Sequence, residues 1–497
     1  MKRLTLSLLA ALLLLLCACG GEPAAVCEHV PGPAATCETA QTCTKCGEVL
    51  APALGHEEVL EDCEAGSHCA RCGVQLSAPT AHIPGPEATC QAAQTCTVCG
   101  KVLAEPTDHT PSGEASCTED VTCTVCGAVL IPAAHEPGPE PSCIDDQLCL
   151  RCGEVLQPAL GHEAAPVTAE LAPTVCARCG VTMALPAGAD PSACIDETVR
   201  DAHYHNNIEA YYSGNVLVCG DYALEYFSMA PTGSPAWADA VNGFADRYQG
   251  LHVSALLVPK SCAYHAPAGY ENQAENQRAF ISSTYALLRD GVTAVDAESL
   301  MAAHSGEYLF YRTDHHWTSL GAYYASAAYC RANGIVPRQL GSYETTVQTG
   351  YVGSLYSFCA TPPDCLKANP DYTVCHLPAA SYTMRYRNGG DFVSGDALNT
   401  ETSAYASAFL CGDNALTVLE TDNATGRNLL VFKESYGNAF VPFLLDYYDT
   451  VVVVDIRSET ESAAALIAEY GITDALILNN VQASTSLTGD LSARLAS

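Results

Sequence analysis

Three hydrophobic patterns follow one another along the chain. Residues 4–16 are predominantly apolar and follow Met1-Lys2-Arg3. From residue 20 to residue 190 apolar residues stand singly among Pro, Ala and Glu, without the sustained period of 2 or 3.6 that a strand or helix needs. After Pro191 apolar runs and Tyr-rich stretches begin. Their periods predict strands at 215–219 and 251–258, a strand from 292 leading into a helix at 297–303, and a helix over 318–333. That helix is capped by Thr318 or Ser319 and stopped at Gly334. Further on, 428–432, 450–455 and 472–478 read as buried strands, alternating with helices at 436–447 and 462–470. Alternation of this kind predicts an α/β domain, a parallel sheet covered by helices on its faces.

The leading apolar run is too short to cross a bilayer and carries the order of a secretory signal. Leu16, Ala18, Cys19 and Gly20 are arranged like the lipobox at which bacterial lipoproteins are cut and lipidated, which makes Cys19 the expected anchor. The mature chain is then expected outside the cytoplasm, held to the membrane by lipid.

The polar stretch from 20 to 190 is repetitive. Cys43/Cys46, Cys69/Cys72, Cys96/Cys99, Cys123/Cys126, Cys149/Cys152 and Cys176/Cys179 recur every 26 or 27 residues, each pair followed by Gly. A third Cys precedes the pair by six residues in five units: Cys37, Cys63, Cys90, Cys117 and Cys143. A His follows each of these five pairs: His56, His82, His109, His135 and His162. A C-x2-C-G turn aims two thiolates at one centre, and Gly supplies the backbone conformation that closes the turn. Disulfides give no reason for a third Cys or for a His at constant spacing, so structural zinc is expected in Cys3His sites. The His before each third Cys, starting with His29, would complete a tetrahedron equally well, so the register stays open. The sixth unit lacks its third Cys at the repeat position and reads as a degenerate cap. With so little apolar residue each bead is expected to fold on its metal, giving a stalk or adhesion module; metal storage or sensing is the alternative.

A formal charge of −34, from 22 basic against 56 acidic residues, argues against nucleic acid and anionic membrane surfaces as electrostatic partners. Cys219, Cys262, Cys330, Cys359, Cys365, Cys375 and Cys411 lie in the α/β region without CxxC spacing, and the sequence does not say whether any pair.

Two constellations after residue 191 carry chemistry. In Tyr311-Arg312-Thr313-Asp314-His315-His316-Trp317-Thr318, residues two apart share a face if the segment is extended, so Asp314 can hold His316 in the tautomer of a general base. His315 is the alternative base. In Leu429-Leu430-Val431-Phe432-Lys433-Glu434-Ser435-Tyr436-Gly437-Asn438 an apolar strand runs into a turn bearing Ser435 and then a helix. That puts a hydroxyl at the carboxyl edge of a parallel sheet beside a helix N-terminus. Ser435 by itself would more often be a helix cap than a nucleophile.

The string Asp314-His315-His316-Trp317 resembles the name-giving motif of the DHHW protein family. This family is similar to the SGNH-like acetyltransferase domains of bacterial alginate O-acetylation proteins. The resemblance spans roughly 216–480 and includes Val258-Pro259-Lys260, Phe409-Leu410-Cys411-Gly412-Asp413-Asn414, the Ser435 turn and Val454-Asp455-Ile456-Arg457. It implies an SGNH/flavodoxin-like sheet domain over 191–497, with Ser435 as nucleophile, His316 as base and Asp314 as its partner. The Ser435 amide and Gly412, Asn438 or Arg457 are then candidates to bind a substrate oxyanion. The implied chemistry is that of a carbohydrate O-acetyl esterase or O-acetyltransferase acting on envelope or extracellular polysaccharide, without a cofactor in that domain. A transferase would also need a membrane partner that exports acetyl groups. The competing reading is a non-catalytic glycan-binding or adhesion protein on a zinc-bead stalk. Glu434 departs from the Asp that such families place before the Ser.

Overall fold

The computed structural model describes residues 27–166, 172–185, 196–201, 203–204, 208–226, 229–270, 272–458 and 461–497. The apolar leader and Cys19 lie outside the described residues. No helix among the described residues is long and apolar enough to cross a membrane. The chain divides into two compact units, one ending at Ala133 and the other running from Ala134 to Ser497.

The first unit is a string of minimal hairpins. Gln41–Thr42 pairs with Val49–Ala51, Gln94–Thr95 with Val102–Ala104, and Val121–Thr122 with Val129–Ile131. Each of these three hairpins is turned by a CxxC-G loop, whereas Glu58–Val59 pairs with His68–Cys69 across residues 60–67. In the first, Cys43 N–H donates to Glu48 O and Gly47 N–H to Cys43 O, at 2.7 and 2.9 Å. Gly47 sits at φ +75°, where a Cβ would be strained.

The second unit opens with two more such hairpins, Gln147–Leu148 with Val155–Gln157 and Thr174–Val175 with Thr182–Ala184. A three-stranded antiparallel sheet of Ala210–Ser213, Val216–Cys219 and Tyr222–Glu225 comes next, so the strand expected at 215–219 forms apart from the main sheet, and an eight-stranded sheet follows. In chain order its strands are β1 (His252–Val258), β2 (Val292–Ala294), β3 (Tyr382–Arg387), β4 (Val393–Gly395), β5 (Leu416–Thr421), β6 (Asn428–Lys433), β7 (Thr450–Asp455) and β8 (Asp474–Asn480). Across the sheet they run β2-β1-β8-β6-β7-β5-β3-β4. From β2 to β7 neighbours are parallel; from β7 to β4 they are antiparallel.

The α/β expectation holds, and the sheet is mixed where the alternation alone implied a parallel one. The five parallel strands depart from the order 2-1-3-4-5 of simple doubly wound sheets: the last in chain order, β8, enters between β1 and β6.

Near-continuous apolar runs in β6, β7 and β8 fit strands buried on both faces. Leu429, Val431, Val451, Val453, Leu476 and Leu478 face one core, which helix α4 (Ser319–Ala332) covers together with Trp317 and Tyr436. The alternate residues, among them Leu430, Phe432, Val452 and Ile477, face the other, under α1 (Pro235–Arg247); α2 (Asn272–Tyr285) and α3 (Ala297–Ala303) lie between α1 and α4 in the chain. Fully burying side chains of this size stabilises by about 1.5–3 kcal/mol each. The helix expected over 436–447 is a single α turn, Gly437–Phe440, followed by a 3-10 turn, Val441–Leu444. Pro442 has no N–H to continue the ladder.

Candidate functional site

The repeats bring together Cys/His groups that could hold a metal ion, and they do so by interleaving. In the first unit the close sets are Cys27, His29, Cys43 and Cys46; Cys37, His56, Cys69 and Cys72; Cys63, His82, Cys96 and Cys99; and Cys90, His109, Cys123 and Cys126. The third Cys of a unit therefore serves the next CxxC pair and not its own. Sets confined to one unit, such as Cys37, Cys43, Cys46 and His56, are not what the fold assembles. Ligands six residues apart in the chain are carried to opposite ends of a hairpin, which sends Cys37 forward to the next turn. The same rule corrects the last unit. Cys143 lies 3.8 Å from Cys176, and His162 Nδ1 lies 3.4 Å from Cys179, so this unit is complete. The exceptional end is the first, where Cys27, which the repeat spacing did not single out, joins His29, the alternative histidine of the open register, to close the site at Cys43 and Cys46.

The distances fit a tetrahedral cation. Thiolates about 2.3 Å from a zinc ion stand about 3.8 Å apart, and the Sγ pairs Cys37/Cys69, Cys63/Cys96 and Cys90/Cys123 are separated by 3.6, 3.7 and 3.7 Å. A disulfide would need about 2.05 Å. Burial pushes the Cys69 thiol up, but His56 and the N–H groups of Arg71 and Cys72 outweigh it and bring it to about 5. Burial and the like groups Cys69 and Cys72 push Cys37 up to about 11. Three thiolates crowded at one centre repel, and a dication between them lets all three ionise. These residues would hold the metal; its contribution is to fold the bead, since the four-ligand set leaves no open position.

The second constellation assembles at the carboxyl edge of the sheet. Strand β6 ends at Lys433, and the turn that follows presents a half-buried Ser435. The motif segment forms a narrow loop closed by the Phe310/Trp317 bridge, and α4 starts immediately after it. Ser435 Oγ lies 2.8 Å from His316 Nε2, and His316 Nδ1 lies 2.6 Å from Asp314 Oδ1. Asp314 Oδ2 accepts from Tyr351 Oη and from Ser354 N–H, at 2.7 and 2.8 Å. Burial alone would raise Asp314, but the hydrogen bond and charge of His316 outweigh it and hold the carboxyl below the usual carboxylate range.

Trp317 is fully buried and donates to Tyr436 O, so it packs the turn. His315 faces Ser354 Oγ at 2.5 Å and not Ser435. Burial, reinforced by His316, lowers it to about 4.

The oxyanion candidates fare differently. Gly412 N–H is engaged with Phe409 O at 3.0 Å. Asn438 Nδ2 donates to Asp413 Oδ1 at 2.8 Å. Arg457 is held by Asp455 and Asp413. Asp413 thus gathers Asn438, Arg457 and Lys433 beside the turn.

Glu434 is built in. Its Oε1 accepts from Asn480 N–H and Nδ2, and its Oε2 from Tyr436 N–H and, at 3.2 Å, from Ser435 Oγ. Two positioning residues escaped sequence reasoning: Tyr351, and Tyr405, which stacks flat on His316 at 3.9 Å and donates to Ser435 O. Both sit far along the chain from the motif, with no local pattern to mark them.

The DHHW protein family model matches residues 198–454, just over half of the chain. A crystal structure of a DHHW family protein from Eubacterium siraeum is 30% identical, covering 58% of this chain and 98% of that one, with a TM-score of 0.53. Bacillus cereus PatB1 with a sulfonyl adduct is 16% identical over 58% of this chain and 98% of that one, with a TM-score of 0.46. The O-acetyltransferase domain of Pseudomonas putida AlgJ is 14% identical over 58% and 99%, with a TM-score of 0.32. No match is found among curated proteins. With its Asp314-His315-His316-Trp317 loop seated over the Ser435 turn, this chain belongs to the DHHW family.

Proposed function

We propose that the sheet domain is a serine-dependent acyl-transfer enzyme, an O-acetyl esterase or O-acetyltransferase of surface carbohydrate. The observation that carries this is the continuous chain from Ser435 Oγ through His316 to a buried Asp314, with both hydrogen bonds in direct range. In the reaction His316 Nε2 takes the Ser435 proton as Oγ attacks an acyl ester. Asp314 fixes the tautomer and stabilises the imidazolium that forms. The leaving alcohol takes that proton, and the acyl-serine is then discharged to a sugar hydroxyl or to water. The Ser435 amide, at the first turn after β6, is the first choice to meet the developing oxyanion. Attachment through lipidated Cys19 would keep the enzyme at the cell envelope, where polysaccharide is its substrate and a membrane acetyl exporter its donor partner.

The test is to treat the full chain with an activated acetyl ester and a serine-directed sulfonyl or phosphonate reagent, then locate the adduct by mass spectrometry. Labelling at Ser435 that is lost in His316→Ala is the expected result. Absence of label in folded protein would overturn the enzyme reading and leave a glycan-binding module.

A further inference from the structure

The last metal knuckle is tied to the frame of the serine site, and the ties run to both ends of α4. His162 contributes Nδ1 to the set with Cys179, and its other nitrogen, Nε2, meets Thr198 Oγ1 at 3.1 Å. A second partner on the far ring nitrogen fixes the orientation of a metal-binding His. Here that partner belongs to the sheet domain's leading segment.

Its neighbour Glu197 is buried. Glu197 O accepts from Tyr308 N–H at 3.0 Å, at the base of the motif loop. Glu197 Oε1 pairs with His376 Nε2 at 2.8 Å, and His376 Nδ1 meets Ser319 Oγ at 2.9 Å, on the first residue of α4. The other strand of the loop is held by Thr318, which donates to Tyr308 O and Leu309 O. On the Cys143 side of the knuckle, Asp146 Oδ2 pairs with Arg331 in the last turn of α4 at 2.9 Å, and Asp145 Oδ1 accepts from Gly341 N–H at 3.1 Å. Both arms start within a few residues of a cysteine or histidine of the same set, so both depend on that set being closed.

We infer that a zinc ion in the Cys143, His162, Cys176 and Cys179 site acts as a staple that positions the Asp314–His316 loop, so that metal loading of this one knuckle governs the competence of Ser435. The functional consequence rests on the acyl-transfer reading; the mechanical one does not. Without the ion, three thiols and an imidazole have no reason to stay converged. Thr198 and Glu197 then lose their anchor, and the base of the loop is free to open. Thr198 and Glu197 are positioning residues, since neither touches Ser435.

The experiment uses the full chain loaded with zinc, comparing wild type with Cys179→Ser, Thr198→Val and Thr198→Ser. Native mass spectrometry counts the metal, and hydrogen–deuterium exchange reads the Tyr308 and Thr318 amides. Cys179→Ser is expected to lose one zinc and to exchange those two amides about tenfold faster. Thr198→Val is expected to keep its zinc yet speed the same amides, and Thr198→Ser to restore them. On an acetyl ester, kcat should fall in step with the lost protection at unchanged KM. Amides that exchange at the wild-type rate in both Cys179→Ser and Thr198→Val would overturn the staple. Faster exchange in a protein whose Ser435 never labels would uphold the staple and count only against the enzyme reading.

Discussion

The two regions of the molecule solve the same problem with different materials. In the first unit the buried apolar positions are cysteines, Cys37, Cys43, Cys63, Cys69, Cys96 and Cys123 among them, joined by Val121. Larger apolar residues there lie on the surface: Val49 is 57% exposed and Val125 62%. In the sheet domain Leu, Val, Ile and Phe fill both faces of β6, β7 and β8 to near-complete burial. The first region offers clustered thiols and imidazoles that could bind zinc in place of an apolar core; the second is stable because apolar area leaves water. The difference teaches where each can be broken, since one responds to metal and acid and the other to cavity formation.

The sharpest test of that contrast is metal removal. A structural zinc contributes on the order of 10–16 kcal/mol of apparent binding energy to a small Cys/His bead, so a strong chelator should unfold the first unit. Limited proteolysis is expected to cut throughout 27–133 while β6 to β8 stay protected. Coincident loss of both would break the comparison. Next in size is the chemistry: Asp314→Asn should lower acyl transfer by roughly 10⁴-fold by leaving His316 without its tautomer-fixing acceptor, with the zinc count unchanged by native mass spectrometry.

Leu476→Ala, inside the core under α4, should cost about 2–5 kcal/mol of sheet stability, read as a shift of the denaturation midpoint without metal release.

The pH response is smaller. Burial holds His315 at about 4 and His265 at about 3, both below the unfolded value near 6.5. The unfolded chain therefore binds protons first, so the stability that depends on keeping these two groups neutral is whole above about pH 6.5 and is lost progressively as pH falls through about 4 to about 3. Calorimetry of His265→Asn should show a weaker decline. The smallest effect expected is that of Gly47→Ala, about 1–2 kcal/mol for placing a Cβ at φ +75°, visible as faster zinc loss from the first site alone.

Much of the sheet was legible because its strands are short apolar runs bounded by turn residues. The strand at Thr450–Asp455 falls where the pattern set it, and Thr318 and Ser462 cap the helices they precede. The antiparallel strands β3 and β5 were not foreseen. Tyr382–Arg387 is half-polar and Leu416–Thr421 is interrupted and ended by Thr and Glu, and neither pattern encodes strand direction. Pro442 did carry a signal against a long helix over 436–447, which the surrounding apolar residues masked.

The sequence by itself determined which chemistry is available: thiols and imidazoles at a fixed beat, and a Ser, a His and an Asp in strand-turn and loop contexts. Residue type and local spacing set these, because turn geometry and capping act within a few residues. Only the tertiary structure decided which groups meet. It joined Cys37 to Cys69 and Cys72 rather than to Cys43, and it brought Ser435 to His316 across 119 residues of chain. It also placed Tyr351 and Tyr405 around that pair and set Thr198 against His162. Such meetings depend on how hairpins and sheet strands pack, and packing energy belongs to the whole fold rather than to any short stretch of it.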